Sequence, residues 1–346
     1  MVAPVDIVIH FLWLIGGLVL LYFGAEWLVK GASEIALRLG ISPLVVGLTV
    51  VAFGTSMPEL LVCLKANSPR LIAAPLEWLG WEMDMSDASP DIALGNIVGS
   101  NIFNIALILG VAALIRPIEV HSQLIKRELP ILLVSSVAFV VMMHDMRLDH
   151  WEGAVLAIGI MVYIYTSVRS SKGDSCASHQ FEDFEEDAIE GAKKGGGRIV
   201  VDFGLVVVGI GALGVGADWL VNHGEWLASK FGVPEVIISL TLFALGTSLP
   251  ELATTIVASL KKQGDIITGN AIGSCVFNLL FVMGVTSGIK PLVAQDLAWL
   301  DLGVMLGLAA LIVPFMWSRM RLSRLEGVIL VMIAVGYSLS VILGQR

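Results

Sequence analysis

Two short stretches of the sequence place hydroxyl and carboxylate side chains on one face of an otherwise apolar helix. In each stretch four residues are spaced i, i+3, i+4 and i+7, which is one side of an α-helix. They are Ala52, Thr55, Ser56 and Glu59 in the first stretch and Ala244, Thr247, Ser248 and Glu251 in the second. Pro58 and Pro250 lack an N–H, so each should kink its helix and free backbone carbonyls. Carbonyl, hydroxyl and carboxylate oxygens together form the donor set that hard cations such as Ca²⁺ and Na⁺ prefer.

Two glycine-rich stretches add further oxygen donors. Each contains a serine and an asparagine four residues apart on one helical face: Ser100 and Asn104, then Ser274 and Asn278. Each also contains two glycines four residues apart: Gly95 and Gly99, then Gly269 and Gly273. This small-residue spacing lets helix backbones approach closely, so we expect the hydroxyl and amide oxygens to lie beside the carboxylates.

The composition indicates that these motifs lie in a membrane. Of the 346 residues, 56% are hydrophobic and 15% are charged, whereas a soluble domain carries roughly 25% charged residues. The charges cluster between apolar runs of about 20 residues, the length that a helix needs to cross a bilayer. The pattern predicts an all-α integral membrane protein and excludes soluble enzymes and nucleic-acid binders. Because no phosphate-binding Gly-x-x-x-x-Gly-Lys-[Ser/Thr] motif occurs, we expect neither ATP nor another cofactor.

The apolar runs predict ten transmembrane helices in two groups of five. They span residues 6–37, 43–66, 91–115, 127–144, 149–168, 199–230, 234–261, 265–288, 297–317 and 325–344. The segment between the fifth and sixth helices combines an acidic run with three consecutive glycines, as solvated linkers do. We therefore divide the chain into a first five-helix repeat (1–168), a linker (169–198) and a second five-helix repeat (199–346).

Internal repetition supports this division. The segments Gly24–Val29 and Gly54–Leu60 recur 192 residues later as Gly216–Val221 and Gly246–Leu252. The segments Gly95–Asn104 and Met146–Leu148 recur 174 residues later as Gly269–Asn278 and Met320–Leu322. The two offsets differ by 18 residues, which locates an insertion in the first half, within 67–90.

The repeats predict an inverted topology. Five helices is an odd number, so the second half must enter the membrane from the opposite side, as in many secondary transporters. If alternate loops share a face, one face holds 15 of the 21 lysines and arginines. The positive-inside rule then places the 169–198 loop in the cytoplasm and both termini outside. The short loops favour a prokaryotic plasma membrane.

Two buried carboxylates need a compensating charge. A carboxylate in mid-bilayer costs on the order of 3 kcal/mol, and no lysine or arginine lies within the predicted cores of the helices that carry Glu59 and Glu251 or of those that follow them. Serine and threonine hydroxyls in membrane helices often only bond back to a carbonyl one turn earlier. The recurrence of the motif with a glutamate in each half instead favours a bound cation or a proton.

These motifs resemble a known family. Thr49–Glu59 with Gly95–Asn104, and Thr241–Glu251 with Gly269–Asn278, are similar to the paired α-repeats of the sodium/calcium exchanger family, within the Ca²⁺/cation antiporter superfamily. The resemblance implies ten helices, extracellular termini and a central cluster of four cation sites. It implies an antiporter with Ca²⁺, Na⁺ and the lipid bilayer as its partners, and no enzyme activity, nucleic acid or protein partner is indicated.

The resemblance also implies roles for individual residues. Glu59 and Glu251 would be shared ligands of Ca²⁺ and Na⁺, and Thr55 and Thr247 would offer backbone carbonyls to Ca²⁺. The flanking Na⁺ sites would be completed by Ala52, Ser56, Ser100, Ala244, Ser248 and Ser274, with Asn104 and Asn278 between the two glutamates. Exchangers of this family carry an aspartate where this chain has Asn278. With two carboxylates, one Ca²⁺ is neutralised, whereas three Na⁺ would leave a net charge of +1.

The residues leave other functions open. A Ca²⁺/H⁺ antiporter would use the same glutamates as proton carriers, although the Gly-Asn-Ala-x-Glu pattern of that branch is absent. A K⁺-dependent Na⁺/Ca²⁺ exchanger would differ only in needing K⁺. A cation channel or sensor belongs to another class and fits inverted repeats less well, because such repeats suit alternating access.

Overall fold

Within the residues that the structure describes, the chain is helical apart from turns and four two-residue strands. The computed structural model describes residues 4–39, 42–68, 90–171, 199–230, 246–295 and 297–343. The helices are α1 (Pro4–Leu39), α2 (Leu44–Thr55), α3 (Met57–Asn67), α4 (Pro90–Ile115), α5 (Leu129–Met142), α6 (His150–Ser171), α7 (Ile199–Lys230), α8 (Leu249–Leu260), α9 (Gly264–Ile289), α10 (Trp299–Arg319) and α11 (Arg324–Ile342). Nearly all of the predicted insertion and of the linker lies outside the described residues, as do Ala244 and the first part of the predicted helix 234–261.

The described helices include six that are long and apolar enough to cross a membrane. They lie within α1, α4, α7, α9, α10 and α11, and the bent pair α2 and α3 makes a seventh candidate. In their most apolar windows α4 and α9 are 78% buried, whereas α1 is 17% and α7 28% buried. Therefore α4 and α9 form the centre of the molecule, and α1 and α7 face the lipid. This confirms the prediction of an all-α membrane protein.

Helices α1 and α7 pack antiparallel through glycines spaced seven residues apart. A Cβ on Gly17 would lie 2.8 Å from the carbonyl oxygen of Gly216, and a Cβ on Gly24 would lie 3.0 Å from that of Gly209. The glycines of α7 lie equally close to the backbone of α1: a Cβ on Gly209 would lie 2.7 Å from the backbone nitrogen of Leu28. Side chains larger than hydrogen cannot fit at these positions, so the two backbones touch directly.

This packing predicts that Gly209→Leu forces α1 and α7 apart. Overpacking of this kind costs about 1–3 kcal/mol or more, so we expect a thermal unfolding midpoint several degrees lower in detergent. The matched control is Gly211→Leu on the same helix, since Gly211 is exposed and a Cβ at this position would meet no atom of the described residues within 4 Å. Equal midpoints for the two variants would contradict the direct backbone contact.

A buried ion pair joins the C-terminal end of α1 to the N-terminal end of α7. Arg38 Nε donates to Asp202 Oδ2 at 2.6 Å, and the two side chains are only 8% and 2% exposed. Glu34, one turn earlier on α1, lies 3.8 Å from the same guanidinium. The arginine therefore supplies positive charge beside two buried carboxylates.

We predict that Arg38→Leu is strongly destabilising. Removing one partner of a buried ion pair typically costs about 3–5 kcal/mol, because the remaining charge stays buried. The double variant Arg38→Leu with Asp202→Leu should regain part of that loss. Denaturation of the purified variants measures both effects, and a double variant less stable than Arg38→Leu alone would refute the explanation.

Short strands connect the two halves of the chain. The strand β1 (Ile118–Glu119) pairs antiparallel with β4 (Arg321–Leu322), and β2 (Arg147–Leu148) pairs with β3 (Leu292–Val293). An offset of 174 residues carries β1 onto β3 and β2 onto β4, so the two pairings are equivalent. Two close glycine contacts, Gly110 with Gly327 and Gly153 with Gly284, are related by the same offset.

Candidate functional site

The helix that carries Glu59 is broken three residues before it. Helices α2 and α3 meet at an angle of 41°, and Ser56 between them has φ −85° and ψ 5°. Pro58 is the second residue of α3 and supplies no N–H, so the carbonyl one turn earlier receives no hydrogen bond from it. Ser248, before Pro250 and α8, has nearly the same angles, φ −89° and ψ 4°. The predicted kink is therefore present, and it lies at the serine.

The central helices α4 and α9 are irregular where the predicted asparagines stand. A π-helical turn begins at Asn104 in α4 and covers Asn104–Ile108, and another begins at Asn278 in α9 and covers Asn278–Val282. Single π turns are uncommon and occur frequently at functional sites, because the extra residue redirects the side chains that follow. Both asparagines are fully buried.

The close approach predicted for α9 is present. A Cβ on Gly269 would lie 2.8 Å from the carbonyl oxygen of Leu44, and one on Gly273 would lie 2.8 Å from that of Leu48. Helix α9 therefore rests directly on α2. For the equivalent glycines of α4, Gly95 and Gly99, a Cβ would lie within 4 Å of no described atom. The segment that corresponds to the start of α2 is part of residues 231–245, which lie outside the described ranges.

The carboxylate of Glu251 receives hydrogen bonds from both halves of the chain. Its Oε1 accepts from Ser56 Oγ at 3.3 Å and from Ser274 Oγ at 3.4 Å. Glu251 is 0% exposed. Ser56 lies at the helix break that precedes Glu59. Its hydrogen bond to Glu251 therefore places the helix of one glutamate against the carboxylate of the other.

Ser100, which corresponds to Ser274 in the repeat, donates to the carboxylate of Glu59. Oε1 of this carboxylate accepts from Ser100 Oγ at 3.2 Å, and Glu59 is also 0% exposed. Ser100 Oγ in turn accepts from Ser248 Oγ and from Asn278 Nδ2, both at 3.1 Å. Two glutamates, four serines and Asn278 from the predicted set thus form one buried cluster between the halves.

Several buried polar atoms of the predicted site residues have no hydrogen-bond partner within the described part of the chain. They are the Oε2 atoms of Glu59 and Glu251, Oδ1 of Asn278 and the whole amide of Asn104. A buried polar atom without a partner costs about 1–3 kcal/mol, and more when it is charged. No lysine or arginine of the described ranges forms an ion pair with either glutamate. The cluster therefore combines two carboxyl groups with hydroxyl and amide oxygens, some of which have no partner among the described residues, and oxygen donors of these types are what hard cations prefer.

The remaining predicted residues lie beside the cluster. Thr55 and Ser274 have their hydroxyl oxygens 3.5 Å apart, and Thr247 Oγ1 donates to Asn96 Oδ1 at 3.0 Å. The carbonyl of Ala52, a buried residue, accepts the hydrogen bond of Ser56 N at 3.0 Å. Ala244 is the one predicted residue outside the described ranges.

Three asparagines of the site were not singled out from the sequence. Asn101 Oδ1 accepts from Asn278 Nδ2 at 3.1 Å, which turns Oδ1 of Asn278 away from Asn101. Asn96 and Asn270 accept hydrogen bonds from Thr247 and Thr55. Asn96 and Asn270 follow the first glycine of the two equivalent motifs, and that recurrence was the signal that could have identified them.

Comparison with known proteins places the chain in a family. Residues 9–169 and 201–343 match the family model described as sodium/calcium exchanger protein. The sodium/calcium exchanger MaX1 of Methanosarcina acetivorans is 32% identical over 361 residues, covering 96% of this chain and 98% of that protein. The inner membrane protein YrbG of Escherichia coli is 35% identical over 313 residues, covering 88% of each.

A solved structure agrees with this assignment. The sodium–calcium exchanger NCX_Mj soaked with zero Na⁺ and Ca²⁺ superposes with a TM-score of 0.77 at 26% identity, covering 96% of this chain and 99% of that one. A second structure of it, soaked with 10 mM Na⁺ and zero Ca²⁺, gives a TM-score of 0.76 at 27% identity. The fold, the matched residues and these relatives together establish that the chain is an ion-transporting membrane protein of the sodium/calcium exchanger family.

Proposed function

We propose that this protein is an antiporter that exchanges Ca²⁺ for Na⁺, with Glu59 and Glu251 as ligands that both ions share. One observation carries the proposal: two fully buried carboxylates from opposite halves enter one cluster, and each keeps one oxygen without a protein partner in the described chain. The names of MaX1 and NCX_Mj as sodium/calcium exchangers support the choice of ions.

The other ligands follow from the cluster. Ca²⁺ takes six to eight oxygens, so the two carboxylates need help from neutral donors. We assign the backbone carbonyls of Thr55 and Thr247 to Ca²⁺ and the amide oxygens of Asn104 and Asn278 to the space between the two glutamates. The flanking Na⁺ sites are completed by Ala52, Ser56, Ser100, Ala244, Ser248 and Ser274. Oδ1 of Asn278 is suited to this role because its amide nitrogen is already engaged by Ser100 and Asn101.

Coupling follows from the charge of the site. When Ca²⁺ or Na⁺ occupies the cluster, the two carboxylates are neutralised and the loaded protein can change conformation. When the cluster is empty, two negative charges would have to be moved through a low-dielectric interior, which is far more costly. The protein therefore changes conformation only with an ion bound, and in this way it exchanges one ion type for the other.

Alternating access requires two related halves. We infer ten transmembrane helices in two inverted five-helix repeats, and the equivalent strand pairs β1–β4 and β2–β3 support this relation. Helices α1 and α7 are our candidates for the gate that slides during alternating access, because they lie at the periphery and contact each other through the backbone atoms of their glycines. We place both termini outside a prokaryotic plasma membrane, with the 169–198 loop in the cytoplasm, and infer that the protein extrudes Ca²⁺.

The ion coupling is tested by flux measurements in proteoliposomes. Uptake of ⁴⁵Ca²⁺ is measured while Na⁺, K⁺ and pH gradients are imposed one at a time. An outward Na⁺ gradient should drive uptake without K⁺ and without a pH gradient. Uptake driven by a pH gradient alone would instead identify a Ca²⁺/H⁺ antiporter, and an absolute need for K⁺ would identify a K⁺-dependent exchanger. Either result would overturn the proposed coupling, and uncoupled flux would indicate a channel.

A further inference from the structure

Two asparagines next to the cluster form matching hydrogen bonds across the two halves. Thr55 Oγ1 donates to Asn270 Oδ1 at 3.1 Å, and Thr247 Oγ1 donates to Asn96 Oδ1 at 3.0 Å. Each bond joins the residue that precedes a helix break in one half to the central helix of the other half. The two contacts are related by the internal repeat, although the residues are more than 150 positions apart in each case.

The amide nitrogen of each asparagine contacts its own half. Asn270 Nδ2 lies 3.4 Å from Thr255 Oγ1 and 3.4 Å from the backbone oxygen of Glu251, and donates to both. Asn96 Nδ2 donates to Cys63 Sγ at 3.8 Å. Thr255 and Cys63 occupy equivalent positions, four residues after each glutamate, so they lie on the helices that carry the carboxylates.

We propose that Asn96 and Asn270 are positioning residues that hold the backbone of Thr247 and Thr55 at a fixed distance from the carboxylate of the opposite half. Each amide connects two elements at once, the threonine before one helix break and the helix that carries the other glutamate. The inference rests on the proposed function, because the threonine carbonyls that it places are cation ligands there.

The local geometry explains why a positioning residue is needed. Thr55 is the last residue before the break at Ser56, and its hydroxyl has a single hydrogen to donate. The carbonyl of Val51 lies at the same 3.1 Å distance as Asn270 Oδ1. Without Asn270, the hydroxyl would turn to the Val51 carbonyl of its own helix and keep only the longer 3.5 Å contact with Ser274 Oγ across the halves. Ser56 would still bond to the carboxylate of Glu251, but Thr55 itself would lose its link through Asn270 to the backbone of Glu251.

The expected effect falls on Ca²⁺ binding. Ca²⁺ requires more oxygen ligands than the two carboxylates supply, so displacement of one carbonyl weakens its binding without removing any charge. We expect Asn270→Ala to raise the KM for Ca²⁺ about tenfold, with the maximal rate of Na⁺-driven exchange changed less than about threefold. Asn96→Ala should act in the same direction through Thr247.

A double-mutant cycle tests whether Asn270 acts through Thr55. Thr55→Val removes the hydroxyl and keeps the backbone carbonyl, so it should reproduce the effect of Asn270→Ala, and the double variant should be no worse than the more impaired single one. Thr268→Val is the matched control, since Thr268 is a buried residue of α9 whose hydroxyl bonds only to backbone oxygens of its own helix among the described residues. It should leave the KM unchanged.

Additive effects of Asn270→Ala and Thr55→Val would overturn the proposal. So would a fall in maximal rate and thermal stability with an unchanged KM, because that pattern indicates a purely structural residue. Equilibrium binding of ⁴⁵Ca²⁺ to the detergent-solubilised protein repeats the cycle without transport. If the wild-type protein binds Ca²⁺ and the cycle is non-additive while no Na⁺-dependent flux occurs, the proposed exchange fails and the positioning role stands.

Discussion

Replacing Glu59 or Glu251 with glutamine should reduce Na⁺-dependent Ca²⁺ flux about 100-fold or more. Glutamine keeps the size of the side chain and removes the charge that pairs with the cation. Loss of one partner from a buried charge pair costs about 3 kcal/mol or more, which corresponds to about 100-fold in an equilibrium constant. Both residues are fully buried and equivalent, so the two variants should be similarly impaired. Uptake of ⁴⁵Ca²⁺ into proteoliposomes under an imposed Na⁺ gradient measures the effect.

The matched control for these variants is Glu128→Gln. Glu128 is another fully buried glutamate, but it precedes α5 and lies 3.7 Å from Arg127 Nε rather than in the cluster. We expect this variant, once folded, to retain flux within a few-fold of wild type. If Glu59→Gln and Glu251→Gln fold normally and still exchange Ca²⁺ for Na⁺, the two glutamates are not the ligands.

Asn278→Asp should make the Ca²⁺ step depend on membrane voltage. The site then holds three carboxylates, so the Ca²⁺-loaded protein carries one net negative charge, whereas the wild-type site with two carboxylates is neutral. Moving one full charge across the membrane is worth about 2.3 kcal/mol per 100 mV, enough to shift the population of the two conformations by about 50-fold if the whole field is crossed. The aspartate would also lose the bond to Asn101 Oδ1, since a carboxylate cannot donate.

Calcium self-exchange isolates this step. With Ca²⁺ on both sides and no Na⁺, ⁴⁵Ca²⁺ exchange is followed while K⁺ and valinomycin set the voltage. The wild-type rate should be nearly independent of voltage and that of Asn278→Asp should change several-fold. Asn278→Ala serves as a control, because it removes the amide without adding a charge and should lower affinity with no voltage dependence. Strong voltage dependence in the wild type would contradict a neutral Ca²⁺-loaded site.

The sequence predicted the helix breaks and the residues that surround them because their causes are local. Pro58 and Pro250 remove hydrogen-bond donors wherever they stand, and helical spacing fixes which side chains share a face. The repeats then imply that features of one half return in the other, as with the π turns at Asn104 and Asn278. The assignment to the family followed from the same motifs and is confirmed by the comparisons.

The contacts between the halves could not be predicted in the same way. Helical spacing shows that Thr55 and Glu59 share a face, but not which residue of α9 meets that face. The bonds from Thr55 to Asn270 and from Ser56 to Glu251 depend on the rotation and crossing of packed helices. The same holds for Arg38 and Asp202, whose ion pair depends on the antiparallel register of α1 and α7.

Anomalous diffraction from crystals soaked in Sr²⁺ in place of Ca²⁺ tests the shared cation site most directly. We predict one strong anomalous peak between the carboxylates of Glu59 and Glu251, within about 2.3–2.7 Å of an oxygen from each, that disappears when the Na⁺ concentration is raised. A peak elsewhere, or one that persists in saturating Na⁺, would contradict competition of the two ions for these glutamates.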